Sequence, residues 1–163
     1  MFIFIVAVNY SDGVRQLGVI FAELDVYISL ANFAASGVNQ YIRPELLPKE
    51  EGIIDLVQVR HSCLEFQPNV IFIANDIHFD RKKKTFFILT GPNMGGKSTY
   101  LRSIAIAVLL AHIGSFVPAS EAKISIVDSI YTRVGSCDVQ LKGVSTFKAE
   151  MIETSSILEV SLY

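Results

Sequence analysis

The chain has 163 residues, about one ordinary domain, and its 51% hydrophobic content and mean hydropathy of +0.43 predict a packed core. Fourteen basic side chains against sixteen acidic ones leave a net charge of −2, so no global basic field draws this chain to nucleic acid, and a local patch or a further domain is left to do so. Cys63 and Cys137 stand far apart with no C-x-x-C pattern, which reads as reduced thiols in an intracellular protein.

The apolar run Met1 to Val8 is too short to span a bilayer, which takes ~20 apolar residues. It also lacks the basic flank of a signal peptide, so the sequon Asn9-Tyr10-Ser11 matters only for a secreted chain. From Ser11 to about Ala35 the spacing of Val14, Leu17, Ile20, Phe21, Leu24 and Ile28 predicts a helix capped by Ser11 or Asp12. Gly37 supplies a stop, and Pro44 and Pro48 bracket a loop. Ile53 to Val59 reads as a strand and is followed by Arg60-His61. Ile71-Phe72-Ile73 and Ile77-His78-Phe79 flank Ala74-Asn75-Asp76. The polar run Asp80 to Lys84 then predicts a turn joining the 77–79 segment to an antiparallel neighbour at Phe86-Phe87-Ile88-Leu89-Thr90. The basic residues of that turn read as a solvated hairpin tip rather than a phosphate contact.

The stretch Gly91-Pro92-Asn93-Met94-Gly95-Gly96-Lys97-Ser98 matches the P-loop pattern, Gly, four free positions, then Gly-Lys-Ser/Thr. Glycines let successive backbone N–H groups curl around phosphate oxygens, because positive φ costs Gly little and no Cβ blocks the approach. A lysine at the Lys97 position reaches β- and γ-phosphates, and a hydroxyl at the Ser98 position ligates Mg²⁺. The flanks fit. Phe86 to Thr90 reads as a buried strand feeding the loop, and Lys97 to His112 as a helix whose positive end faces the phosphates. These features predict a nucleotide-phosphate site.

Beyond that helix, Gly114 is the expected stop, Ile124 to Val127 and Ile130 to Val134 are strand candidates, Gly135 to Gly143 is a polar loop, and Thr146 to Leu158 shows helical spacing. Hydrolysis at a P-loop normally needs an acidic residue after an apolar strand to hold Mg²⁺. Asp128 ends the only later run of that kind, but it lacks an acidic neighbour and Ser125 interrupts the run, so it reads as a strand-end residue. His61, His78 and His112 have no metal-ligand spacing.

The run Thr90 to Arg102 resembles the ATPase domain of MutS-type DNA mismatch-recognition proteins, and so do Gly114-Ser115-Phe116-Val117-Pro118-Ala119, Thr132-Arg133-Val134-Gly135 and Ser145-Thr146-Phe147-Lys148-Ala149-Glu150-Met151. The wording around Ile126-Val127-Asp128 and Gln140 to Ser145 is similar to the eukaryotic homologue that serves as common subunit of the heterodimers. Ala22-Glu23-Leu24-Asp25-Val26 and Arg60-His61 extend the likeness to roughly residues 22 to 158. The resemblance implies an α/β fold, a P-loop NTPase of the ABC type, binding ATP with Mg²⁺. It implies that Phe72 stacks on adenine with Ile73 beside it, and that Gly91, Pro92, Asn93, Met94, Gly95, Gly96, Lys97, Ser98 and Thr99 hold the phosphates, Asn93 near the γ-phosphate. Ser98 would ligate the metal, and Ser145 would be presented in trans to a partner's nucleotide. It further implies a DNA-dependent ATPase working as a heterodimer with another MutS-family subunit, a sliding clamp on mismatched double-stranded DNA in the nucleus, and no membrane partner.

The same likeness divides the chain into an N-terminal segment with the end of a lever helix (1–40), a partial ATPase domain (41–158) and an unrelated tail (159–163). The family's acidic strand motif, dimerisation tail and DNA-contacting domains are absent from it. The chain therefore reads as an excised piece, expected to aggregate or bind ANS, to hold ATP weakly and to turn none over. A transporter nucleotide-binding subunit would need a glutamine loop and a Leu-Ser-Gly-Gly-Gln segment, and this sequence has neither. A chain that binds nucleotide without hydrolysing it is the remaining alternative.

Overall fold

The computed structural model describes residues 2–68, 71–133 and 146–161. Its elements in chain order are α1 (Phe2–Ser36), β1 (Glu45–Leu47), a 3-10 turn (Lys49–Glu51), β2 (Ile53–Val59), β3 (Asn75–Asp80), α2 (Lys97–His112), β4 (Glu121–Ser125) and α3 (Thr146–Ser161). The chain divides into two compact units, Met1–Ile126 and Val127–Tyr163, and α3 belongs to the second.

Within the first unit the strands form one sheet in the order β1-β4-β2-β3. β2 runs antiparallel to both β3 and β4, with Ile54 opposite Phe79 and Ile124, while β1 runs parallel to β4. The aliphatic pattern of β2 explains its central place, since such side chains fit a pleated surface covered from one side. α2 supplies the cover. Its Ile104, Ala107, Val108 and Ala111 recur at the i, i+3, i+4, i+7 spacing of one helix face and are buried. They form the core with Leu56 and Val59 of β2, Ile77 of β3 and Ile124 of β4. Each large aliphatic chain so buried contributes ~1.5–3 kcal/mol. Leu101, at the margin of that face, and Leu109, on the other side of α2, stay half exposed.

The first helix is longer than its sequence pattern predicts, because the apolar run before Ser11 continues it instead of standing apart. Its stop is steric. Ser36 Oγ donates to Phe33 O at 2.9 Å, and a Cβ at Gly37 would sit 2.5 Å from the Tyr41 ring, so only glycine lets Tyr41 fold back under the helix end. There Tyr41 meets Phe33 edge-on at 5.3 Å. Asp12–Ser36 is long and apolar enough to cross a membrane by length and composition, a test that a signal sequence or the core helix of a soluble protein also passes.

Three strand expectations are corrected. Phe86 to Thr90 forms no strand and is not buried, with Phe86 80% and Ile88 79% exposed while the Phe87 ring packs edge-on against Phe79 at 4.4 Å, because a strand exists only where its N–H and C=O groups find a ladder partner. The antiparallel partner of β3 is β2, which comes earlier in the chain. The turn after β3 does form, with Asp80 O accepting from Lys83 N and Lys84 N and Asp80 Oδ1 accepting from Lys82 N, but pairing ends at the Asp80–Lys84 bridge. Ile130 to Arg133 forms no strand, and Val134 lies outside the described residues.

The strand expected at Ile124 to Val127 sits earlier, at Glu121–Ser125, where buried Ala122 and Ile124 alternate with exposed Glu121 and Lys123. α3 runs past the predicted Leu158 to Ser161.

Candidate functional site

The loop that opens α2 is shaped by its own glycines. Gly95 N donates to Pro92 O at 3.1 Å, closing a tight turn, and a Cβ at Gly95 would lie 3.0 Å from that same carbonyl. Met94 (φ 63°) and Gly96 (φ 81°) are left-handed, and Met94 projects fully into solvent. Gly96 is the N-cap of α2, and no side chain caps it. The first N–H groups of α2 therefore face outward with the positive end of the helix dipole behind them. Lys97 folds back over the loop, its Nζ donating to Gly91 O at 2.8 Å and Pro92 O at 2.6 Å. Asn93 and Ser98 are exposed beside it, and Thr99 is half-buried with its carbonyl accepting from Ser103 Oγ at 2.9 Å.

A second feature of the same unit is a cleft of about 440 Å³ whose wall includes Phe72, Gln58, Arg60, Ala74 and Ser120. The volume suits a small ligand, which typically occupies ~300–1,000 Å³. Phe72 is half-buried in this wall, while Ile73 is exposed and its carbonyl accepts from Asn75 Nδ2 at 2.9 Å. Gln58 lies at an irregularity in the β2–β3 register with φ 51°. Its N–H donates to Asp76 Oδ1 and its Oε1 accepts from Ser120 Oγ, both at 2.8 Å. Asp76 also accepts the Tyr100 hydroxyl at its carbonyl, 3.1 Å, which ties the first turn of α2 to the cleft.

In the cleft wall Arg60 forms a buried ion pair with Glu65, Nε to Oε2 at 3.0 Å, and its guanidinium lies 6.0 Å from the Tyr41 ring centroid. Tyr41 donates its hydroxyl to the other oxygen of Glu65. Burial, and then that carboxylate, raise the Tyr41 pKa, so the hydroxyl remains a donor. His61 is buried, its Nδ1 accepting from Cys63 N at 3.2 Å, and burial followed by the charge of Arg102 pushes its pKa below the usual histidine value.

The structure thus places the loop residues from Gly91 to Thr99 together at the start of α2 and puts Phe72 in a separate cleft wall, linked to α2 through Asp76. Ser145 lies outside the described residues. Asp128 is exposed and outside β4. Ser125, which seemed to interrupt an apolar strand, is buried with its Oγ accepting from Ile53 N at 2.8 Å. Among the described residues no group of three His, Cys, Asp or Glu side chains is placed to hold a metal. Mg²⁺ at a P-loop is held largely by phosphate oxygens and waters, and a single exposed hydroxyl such as that of Ser98 fits this donor set. Sequence reading missed Gln58, Asp76 and Glu65. A positive φ at a glutamine leaves no mark in the sequence, and Asn75-Asp76 stood only as the polar stretch between two apolar triplets.

What stands so far is a mixed α/β protein with a glycine loop opening a helix that covers a small sheet. Comparison with known proteins narrows this. Residues 87–162 match MutS domain V, a span that takes in the whole loop and α2. The chain is 52% identical over 158 residues to the DNA mismatch repair protein spellchecker 1 of Drosophila melanogaster, covering 96% of this chain and 17% of the relative. It is 48% identical over 154 residues to the DNA mismatch repair protein msh-2 of Neurospora crassa, covering 94% and 16%. A bacterial relative, the DNA mismatch repair protein MutS of Lachnoclostridium phytofermentans, is 50% identical over 138 residues, covering 84% and 14%. The chain belongs to the MutS family, and it spans about one-sixth of the length of the curated relatives it matches.

Proposed function

We propose that the chain binds ATP with Mg²⁺ as the P-loop part of a DNA mismatch-recognition ATPase. The observation that carries this reading is the Lys97 ammonium, held by the Gly91 and Pro92 carbonyls at the uncapped start of α2. A lysine ammonium beside an uncapped helix start is the arrangement that receives a triphosphate. In this reading Gly91 to Gly96 wrap the phosphates, Asn93 approaches the γ-phosphate, Ser98 ligates Mg²⁺ and the base lies against Phe72 with Ile73 beside it. Ser145 is presented to the nucleotide of a second MutS-family subunit. The longer chains of the family supply contact with mismatched double-stranded DNA, on which ATP controls a clamp, and the setting is the nucleus. The match to spellchecker 1 covers 96% of this chain and so most of α1, which supports reading that helix as a repair-protein element rather than a membrane anchor.

A second reading, nucleotide binding without turnover, draws on Ser125. At the end of the strand that follows α2, where a metal-holding group is expected, this side chain is committed to the Ile53 N–H.

Titration of ATP against Lys97→Ala tests the first reading. Loss of a charge-assisted contact worth ~1.5–3 kcal/mol lowers affinity about ten- to a hundredfold. Lys97→Arg does not rescue it, since a planar fork does not replace a point charge here. Unchanged affinity for Lys97→Ala overturns the phosphate role of the loop. Phe72→Ala costs on the order of 1–3 kcal/mol, equally for ATP and ADP, because the base is common to both. A lost thermal transition in that variant, with nucleotide affinity retained, makes Phe72 a core residue instead.

A further inference from the structure

We infer that Gln58 reads the base: its side-chain amide donates a hydrogen bond to a ring-nitrogen acceptor of the purine that lies against Phe72. The inference rests on reading the cleft as the base site and adds a specificity-determining residue to it.

A glutamine with φ 51° is an outlier, because its Cβ crowds the backbone in the left-handed region. Such residues persist only where the surroundings over-determine them, and they cluster at ligand sites. Here the surroundings do so. The Asp76 carboxylate holds the Gln58 N–H at 2.8 Å, and Ser120, itself tied to Val57 O through its own N–H at 2.8 Å, holds the Gln58 Oε1. Asp76 is in turn fixed to α2 by Tyr100. A bulge that served the fold alone would be met by glycine or asparagine, which take this conformation at lower cost.

The side chain is tied at one end as well. With Oε1 committed to Ser120, the Nε2 group carries two N–H donors that make no hydrogen bond among the described residues, and Gln58 shares the cleft wall with Phe72. An exposed side chain whose acceptor is tied to Ser120 has its two N–H donors left to offer to an acceptor in the cleft. An aromatic face beside it selects a flat ring. Purine rings offer nitrogen acceptors at their edges, which joins the two requirements in one ligand class.

The test titrates the full 163-residue chain with ATP, with base-free inorganic tripolyphosphate and with the 1-, 3- and 7-deaza analogues of ATP. Gln58→Met keeps the length of the side chain and removes the donor. It should weaken ATP by about three- to tenfold and leave tripolyphosphate unchanged. One deaza analogue should show the same loss on the unaltered chain and no further loss on Gln58→Met. Gln58→Asn relieves the backbone and shortens the amide out of reach, so it should show the ATP loss even if Gln58→Met fails to fold. Unchanged ATP affinity in a folded Gln58 variant, beside a Phe72→Ala that does weaken ATP, overturns the inference and spares the base site. Equal weakening of ATP and tripolyphosphate overturns it in favour of a structural role. If Phe72→Ala also leaves ATP binding unchanged, the base-site reading fails and the inference falls with it.

Discussion

Tyr100 donates its hydroxyl hydrogen bond to the Asp76 carbonyl at 3.1 Å, while the Asp76 carboxylate accepts the Gln58 N–H at 2.8 Å. One residue of β3 therefore anchors both the helix that follows the glycine loop and the bulge that shapes the Phe72 cleft. Burial, and then the Asp76 charge, raise the Tyr100 pKa, so the hydroxyl stays protonated and keeps donating. Tyr100→Phe should lower stability by about 0.5–1.5 kcal/mol, the net worth of one hydrogen bond, in a urea melt. An unchanged midpoint would mean that the contact adds nothing and that the loop and the cleft are tied together elsewhere.

The Arg60–Glu65 pair is buried, with side-chain exposures of 9% and 4%, and Glu65 also receives the Tyr41 hydroxyl. Removing one partner of such a pair strands the other charge away from water. Glu65→Ala should therefore cost about 3–5 kcal/mol, far more than an exposed pair such as Lys123–Glu45, for which ~0–1 kcal/mol is expected. Glu65→Gln keeps acceptor oxygen for Tyr41 and should cost less than Glu65→Ala. Equal costs for the two variants would show that the charge of Glu65 is irrelevant to the fold.

These two networks also mark the limits of what the sequence discloses. The glycine loop, α2 and the strand at Ile53–Val59 were legible because each is a local pattern: glycine spacing, a 3.6-residue apolar face and an aliphatic run. The pairing of β3 with β2, the bulge at Gln58 and the buried Glu65 were not, since each depends on a partner well away in the sequence or on a backbone angle. Phe86 to Thr90 failed for a related reason. Its composition is that of a strand, but composition does not supply the neighbour that makes one. Ser125 misled in the opposite direction: a polar residue in an apolar run looked like a break and is a buried acceptor for Ile53.

His61 predicts a pH dependence whose direction follows from its lowered pKa. The group is held neutral in the folded chain, whereas in the unfolded chain it titrates near the ordinary value of 6.5. Between that value and the lower folded pKa the unfolded state binds more protons, so stability rises with pH across this window. The contribution is fully present above pH 6.5 and is lost as pH falls toward the folded value. Melts of the unaltered chain and of His61→Asn, run from neutral to mildly acidic pH, should converge as the pH drops. Parallel curves would mean that His61 titrates alike in both states.

The unpaired 86–90 segment gives the sharpest contrast between sequence and structure, because Ile88 has a core composition and a surface position. Ile88 is 79% exposed and Ile124 fully buried, although both sit in runs that read as strand. A surface substitution away from special features changes stability by less than ~0.5 kcal/mol, whereas truncating a buried isoleucine costs ~2–5 kcal/mol. Ile88→Lys should therefore leave the melting midpoint in place, and Ile124→Ala should lower it strongly. Phe86 and Ile88 also leave apolar surface open to a dye, and such exposed apolar surface favours aggregation. The unaltered chain should bind ANS, and Ile88→Lys should reduce that fluorescence without loosening the fold. If Ile88→Lys instead lowers the midpoint as much as Ile124→Ala does, Phe86 to Thr90 is covered in solution as its sequence predicts, by a second chain or by its own, and a concentration series of the melt separates those two.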